Sequence, residues 1–334
     1  MPTKSINNEW MPCDDNIFAA AADNDFDDDE MQPKDYYDVL TRYVYKQDEA
    51  CKAASIILWN HLNQRRGASR NVFVGPAGSG KTFLWSVIRE HLYENVIIYN
   101  SANITKTGFS GSRKVSSPLH LIPPNSTKPY IIVYDEFDKL CRPQYTSHDE
   151  NVSAGIQSEF LALIQPSNNL LRLKSEEGEY TIDVSKITWV FCGSFAEAAE
   201  DIARKSYTTG LGFGAVKSQP KAFTNELTMQ DLENFGVIPE LCSRMTRLVN
   251  LRPLDLNDYI YLLSNHPNSP LTYLEDIYDM PSGYIKNNII SSTELLQIAE
   301  DAFNSGLGVR SCTAALQRRV DNYIYENYHE YITC

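Results

Sequence analysis

The stretch Gly75-Pro76-Ala77-Gly78-Ser79-Gly80-Lys81-Thr82 fits G-x-x-x-x-G-K-[ST], and few patterns constrain a fold so tightly. The glycines let the backbone curl until successive N–H groups point inward at phosphate oxygens. Lys81 is then placed to reach the β- and γ-phosphates and the Thr82 hydroxyl to ligate Mg²⁺. A loop of this kind sits between a strand and a helix. Asn71-Val72-Phe73-Val74 reads as the short buried strand before it, and Phe83-Leu84-Trp85-Ser86-Val87-Ile88 as the helix start after it, with Phe83 counted among the nucleotide-binding residues.

A second apolar run, Tyr130-Ile131-Ile132-Val133-Tyr134, has the β-branched content of a strand covered on both faces. It delivers Asp135 and Glu136 at its carboxyl end, where ligands bind in open α/β sheets. Asp135 is the candidate for the Mg²⁺ shell beside Thr82, and Glu136 is placed to orient and deprotonate an attacking water. Together the two motifs predict an ATPase with ATP and Mg²⁺ as cofactors.

Composition narrows the partners. With 334 residues the chain is long enough for two domains. A formal net charge of -13 argues against duplex DNA as the main partner, because phosphate binding needs a basic face. No apolar run reaches the length of a membrane span and the start of the chain lacks a signal-peptide pattern, so no membrane partner and a cytoplasmic location are expected. Seven cysteines without a C-x-x-C pair imply reduced thiols and no zinc site; Cys192 lies in an apolar strand pattern and reads as core. The acidic segment around Asp14, Asp15, Asp23, Asp25, Asp27, Asp28, Asp29 and Glu30 lacks apolar periodicity. It cannot bury enough surface to offset its ordering entropy and is expected to be a disordered tail.

From Asp48 to Gln64, Cys51, Ala54, Leu58 and Leu62 share one helical face, preceded by Tyr43-Val44-Tyr45-Lys46-Gln47. From here the chain resembles the ClpX protein unfoldases, within the Clp/HslU group of AAA+ ATPases. In that family a Y-V-I-G-Q segment precedes such a helix and its apolar residues sandwich adenine. The resemblance therefore implies adenine contacts from Tyr43 and Val44, with Lys46 standing where the family has glycine. Ile104-Thr105-Lys106-Thr107-Gly108-Phe109-Ser110-Gly111, after the strand Val96–Asn100, is similar to the family's L-T-E-A-G-Y-V-G. It implies that Gly108, Phe109, Ser110 and Gly111 form a substrate-gripping pore loop, with Phe109 replacing the usual tyrosine.

Further matches follow in order. Val152–Gln157 resembles the helix start after the second pore loop. Asp183-Val184-Ser185-Lys186-Ile187 and the strand Thr188–Phe191 resemble D-T-S-K-I-L-F-I, and Cys192-Gly193-Ser194-Phe195 stands where the family has C-G-G-A-F, one residue shorter, which implies that Ser194 is the γ-phosphate sensor. Phe235–Arg244 is similar to F-G-L-I-P-E-F-I-G-R. Arg244 is thereby implied to be an arginine finger serving the neighbouring subunit's nucleotide, with Arg247 a second choice; a guanidinium is always charged and presents a planar fork to phosphate oxygens. Past Leu251-Arg252-Pro253-Leu254 the pattern is helical, with an amphipathic run from Thr293 to Phe303. Gly308-Val309-Arg310-Ser311 resembles G-L-R-S, so Arg310 is implied to reach the nucleotide, while Leu307 replaces a common arginine. Leu211-Gly212-Phe213 stands where the family carries an I-G-F tripeptide that docks on a ClpP-type peptidase.

The expected architecture is α/β: a P-loop AAA+ large domain, a parallel sheet flanked by helices, over 35–252. A small, mostly helical domain over 253–334 follows it, and the acidic tail covers 1–34. Lys81, Glu136 and Arg244 are the candidate catalytic residues. Two readings stay open. In one, a homo-oligomeric ring of six threads protein substrates and feeds a ClpP-type peptidase. In the other, a regulatory or assembly ATPase holds a dedicated partner without threading it. The second is favoured by the acidic segment standing in place of the family's zinc-binding domain and by a short loop from Pro166 to Tyr180 that lacks the family's basic R-K-H element.

Overall fold

Five short runs of mostly apolar residues become the parallel strands of one sheet in the computed structural model: β1 (Arg70–Val74), β2 (Val96–Asn100), β3 (Tyr130–Asp135), β6 (Ile187–Gly193) and β7 (Arg247–Asn250). The structure describes residues 31–63, 69–102, 104–105, 113–124, 126–145, 149–165, 169–175, 178–208, 226–306 and 308–327. The acidic segment, the 108–111 loop and the 211–213 tripeptide lie outside them.

The strand order is β2-β3-β6-β1-β7, and every neighbouring pair is parallel. This is the α/β fold with a parallel sheet that the motifs predict. Along β6 each residue is buried, and along β3 all but the terminal Asp135 are. Sheets covered on both faces need such continuous apolar strands, since helices pack over each side. The covering helices include α1 (Pro33–Tyr43), α2 (Asp48–Leu62), α3 (Lys81–His91) and α4 (Val152–Ile164), of which α2 packs against β7 and α3 against β2 and β6. Between β3 and β6 the core is aromatic: Tyr134, Phe137, Phe160 and Phe191 pack ring against ring.

The segment read as a short loop from Pro166 to Tyr180 is in part a hairpin. β4 (Leu170–Ser175) pairs antiparallel with β5 (Gly178–Asp183), Leu171 opposite Ile182 and Leu173 opposite Tyr180. After β6 come α5 (Ala196–Thr208), α6 (Met229–Phe235) and α7 (Pro239–Cys242).

The chain divides into two compact bodies, and the sheet body spans Gln32–Pro253. The second begins at Leu254 and holds α8 (Leu256–Ser264), α9 (Pro270–Ile277), α10 (Ser292–Ser305) and α11 (Arg310–Glu326). Its own core joins Leu263, Leu274, Ile285, Ala299, Leu316 and Val320. Glu275 is buried there, and its carboxylate accepts from the N–H groups of Gly283 and Ile285. Ser291 caps α10 in a reciprocal box with Glu294, the pattern that starts a helix firmly.

The five cysteines among the described residues are buried and free, Cys192 included. One buried titratable group in the sheet body makes its stability depend on pH. His61, at the end of α2, meets Thr188 Oγ1 through Nδ1 at 2.9 Å, while its Nε2 has no partner. Burial pushes its pKa down to about 4. An unfolded histidine titrates near ~6.5, so between those values the unfolded chain binds the extra proton and folding loses stability as pH falls. By pH 5 the loss is about 2 kcal/mol at 1.36 kcal/mol per unit. Urea unfolding at pH 7 and pH 5 measures it, with His61→Asn expected to flatten the difference. Equal pH dependence in both proteins would take His61 out of the acid response.

Candidate functional site

β1 ends at Val74, and the loop that follows is clamped between the strand and the chain leaving β7. Leu251 N–H donates to the Val74 carbonyl at 2.7 Å. A Cβ on Gly75 would come within 2.9 Å of Leu251 Cβ and 3.1 Å of Ser79 Oγ, so this close approach requires glycine. Lys81 opens α3 and folds back over the loop, its ammonium donating to the carbonyls of Gly75 at 2.7 Å and Pro76 at 2.8 Å. Burial pulls its pKa below the ordinary lysine value, while Cys192, Asp135 and Asp138 push it the other way. Ser79 is buried and its hydroxyl has no acceptor or donor beside it. A cradle with a buried cation and an unsatisfied hydroxyl suits an anion.

The second half of the site comes from β3. Thr82 Oγ1 donates to Asp135 Oδ2 at 2.7 Å, which brings the hydroxyl and the carboxylate of the two motifs together. No cluster of three or more histidine, cysteine or acidic side chains able to hold a metal exists among the described residues. Mg²⁺ keeps several waters and takes one or two protein oxygens besides the phosphates. Thr82 and Asp135 would hold it, and bound there it would neutralise charge developing on the phosphates.

Glu136 follows in the left-handed region at φ 55°, exposed, with its N–H turned back to Asp135 Oδ1 at 3.0 Å. A non-glycine residue held there stores strain, and such residues concentrate at active sites. Ser194 is half-buried directly after β6. The strand end before it is tight: a Cβ on Gly193 would lie 3.0 Å from Asp138 Oδ1 and 2.6 Å from the Phe195 ring. Asp138 is therefore wedged between the acidic turn and the Ser194 strand end. Its signal in the sequence was the second aspartate of Asp135-Glu136-Phe137-Asp138.

Other expected residues are more dispersed. Tyr43 ends α1 and its ring stacks on His91 at 4.3 Å between centroids, whereas Val44 is buried. Lys46, in the place of the family's glycine, keeps a glycine-like backbone at φ 54°. Gln47, not singled out from the sequence as a site residue, is buried. Its side chain donates to the Arg252 carbonyl and accepts from the Arg252 N–H, both at 2.9 Å. The turn at Lys46 and Gln47 and the end of β1 thus hold consecutive residues, Arg252 and Leu251. Arg244 is exposed just past α7, donating to Gln165 Oε1. Arg247 donates to the Ala53 carbonyl at 3.3 Å. Arg310 opens α11.

A P-loop on a parallel sheet, with an aspartate–glutamate pair at the end of β3, one strand removed from β1, and the aspartate bonded to the loop's threonine, is the core of a P-loop ATPase. Residues 71–191 match the AAA family, the ATPase family associated with various cellular activities. Over most of its length the chain is similar to proteins named ATP-dependent Clp protease ATP-binding subunit ClpX. The Treponema denticola relative is 25% identical over 311 residues, 85% of this chain and 75% of the relative. That of Porphyromonas gingivalis is 25% identical over 317 residues, 87% of this chain and 76% of the relative. The protein named ClpX 2 in Wolinella succinogenes is 22% identical over 316 residues, covering 88% and 77%. The chain thus resembles ClpX proteins over most of its length, around a segment that matches the AAA family.

Proposed function

We propose that this ATPase is a ring-forming protein unfoldase or remodeller, a ring of six in which ATP turnover drives the gripping loop at Phe109 along a bound chain. The observation that carries the reading is the joined pair Thr82 and Asp135 below the P-loop, within a chain similar to ClpX over 85% of its length. Lys81 and Thr82 would hold the phosphates and Mg²⁺, Glu136 would take the proton of the attacking water, and Ser194 and Arg310 would sense the nucleotide from the strand end and from α11. Val44 and Tyr43 would meet adenine. The large domain would run over 35–252 and the small one over 253–334, with a cytoplasmic location and no nucleic-acid or membrane partner.

The relatives are named as ATP-binding subunits of a Clp protease, and Leu211-Gly212-Phe213 would be the docking tripeptide for a ClpP-type ring. Co-sedimentation with such a peptidase in the presence of ATP reads that half of the proposal directly. The second reading, an ATPase that holds a dedicated partner without threading, is favoured by the hairpin β4–β5. It covers the segment that lacks the family's basic substrate-selecting element.

One experiment separates the two. An unfolded protein is expected to raise ATP turnover several-fold, and Phe109→Ala to abolish that increase while basal turnover persists. An aromatic on a loop grips apolar surface without regard to sequence, and removing a central aromatic anchor commonly costs ~2 kcal/mol of an interface. Turnover indifferent to unfolded protein would favour the partner-holding reading.

A further inference from the structure

Arg244 has a cationic neighbour that the motifs do not include. Arg70 is the first residue of β1, and Thr246 straps the chain just after Arg244 to it. Thr246 N–H donates to the Arg70 carbonyl at 2.7 Å, and Arg70 N–H donates to Thr246 Oγ1 at 3.2 Å. Both guanidinium groups then hold consecutive residues at the end of α4. Arg70 Nη2 donates to the Ile164 carbonyl at 3.3 Å, and Arg244 Nη1 donates to the Gln165 side chain. Among the described residues neither arginine pairs with a carboxylate, and Arg70 Nε is buried without an acceptor. Burial pulls the Arg70 pKa below the usual arginine value, and the Arg244 charge lowers it further.

Two like charges side by side with no acid between them are costly unless an anion arrives to share. The anion cannot be the nucleotide on the same chain's P-loop. Arg70 begins the strand whose far end carries that loop, and five residues of strand span about 16 Å.

We propose that Arg70 is a positioning residue for Arg244: its tethered charge repels the Arg244 guanidinium and loosens its hold on Gln165, so that Arg244 is ready for the terminal phosphate of a nucleotide held by a second copy of this chain. The proposal rests on the reading of Arg244 as a finger acting in trans. Gln165 offers only a neutral oxygen, a seat that a phosphate with two or more charges displaces easily.

Charge and hydrogen bonding at position 70 can be separated. Arg70→Gln keeps a donor for the Ile164 carbonyl and removes the charge, whereas Arg70→Lys keeps both. In the full-length protein, Arg70→Gln is expected to lower kcat about tenfold, a size typical of coupled neighbours, with the KM for ATP and the melting temperature little changed. Arg70→Lys is expected to restore most of the turnover. In an Arg244→Ala background, Arg70→Gln is expected to cost nothing more, because it acts through a side chain no longer present. Equal turnover for the Gln and Lys variants, or losses that add in the double variant, would overturn the assignment of Arg70 while leaving the Arg244 finger standing. If Arg244→Ala alone leaves turnover intact, the finger reading itself has failed, and the Arg70 proposal falls with it. Should Arg70→Gln not fold, Gln165→Leu tests the same idea from the other side. Removing the neutral seat is then expected to leave turnover at or above wild type, and a fall in turnover would overturn the proposal.

Discussion

Glu136→Gln is expected to bind ATP almost as tightly as the wild type and to turn it over at least ~10²-fold more slowly, the usual contribution of a positioned base. The carboxamide matches the carboxylate in size and cannot accept the proton of an attacking water. What makes Glu136 the candidate is its station. It directly follows Asp135, whose carboxylate meets Thr82 at 2.7 Å, and its left-handed backbone at φ 55° turns the chain sharply out of β3. The side chain is exposed, so the substitution disturbs no buried packing. Phosphate release and nucleotide binding, measured on the same preparation, separate chemistry from affinity. Near-normal release would remove Glu136 from the mechanism.

Arg244→Ala is expected to lower turnover by about 10³-fold while nucleotide affinity stays close to that of the wild type, because an arginine finger stabilises charge that grows toward the transition state. The geometry gives this prediction a sharper form. Arg244 lies near Arg70, at the opposite end of β1 from the P-loop, and the proposed finger role is therefore toward a nucleotide on another copy. Mixing Arg244→Ala with Glu136→Gln subunits should therefore recover part of the lost activity, since some interfaces then pair an intact Glu136 with an intact Arg244. Mixed assemblies that form and stay inactive at every ratio would deprive the trans assignment of its support.

Much of the sheet body was legible in the sequence because its strands are buried on both faces. The runs at Val96–Asn100, Tyr130–Tyr134 and Thr188–Phe191 are apolar enough to stand out without neighbours. β7 is different. Arg247-Leu248-Val249-Asn250 is four residues long with polar ends, and its identity as a strand comes only from pairing with β1. The hairpin of β4 and β5 was hidden for a similar reason: exposed Arg172, Lys174, Glu179 and Thr181 stand among its few buried residues, Leu173 and Ile182. The P-loop and the acidic pair were readable as linear motifs. The Gln47 clasp on Arg252 was not, since its partner is 205 residues away and is a backbone group that any residue could supply. Lys46 shows the reverse case. The sequence departs from glycine there, yet the backbone keeps φ 54°, at a cost of order 1 kcal/mol that the buried neighbour Gln47 helps to offset.

The strand order has a consequence for how the chain comes into being. β1, which carries the P-loop, pairs only with β6 and β7, and those strands begin at Ile187 and Arg247. While the chain is being synthesised, the loop hangs from an unpaired strand until β6 has left the ribosome. Its clamp at Leu251 arrives later still. Parallel pairings between such distant segments form slowly, after loop-closure entropy has been met. ATP capture is thus one of the last events in the making of this body, and the first bound nucleotide marks a sheet that has closed.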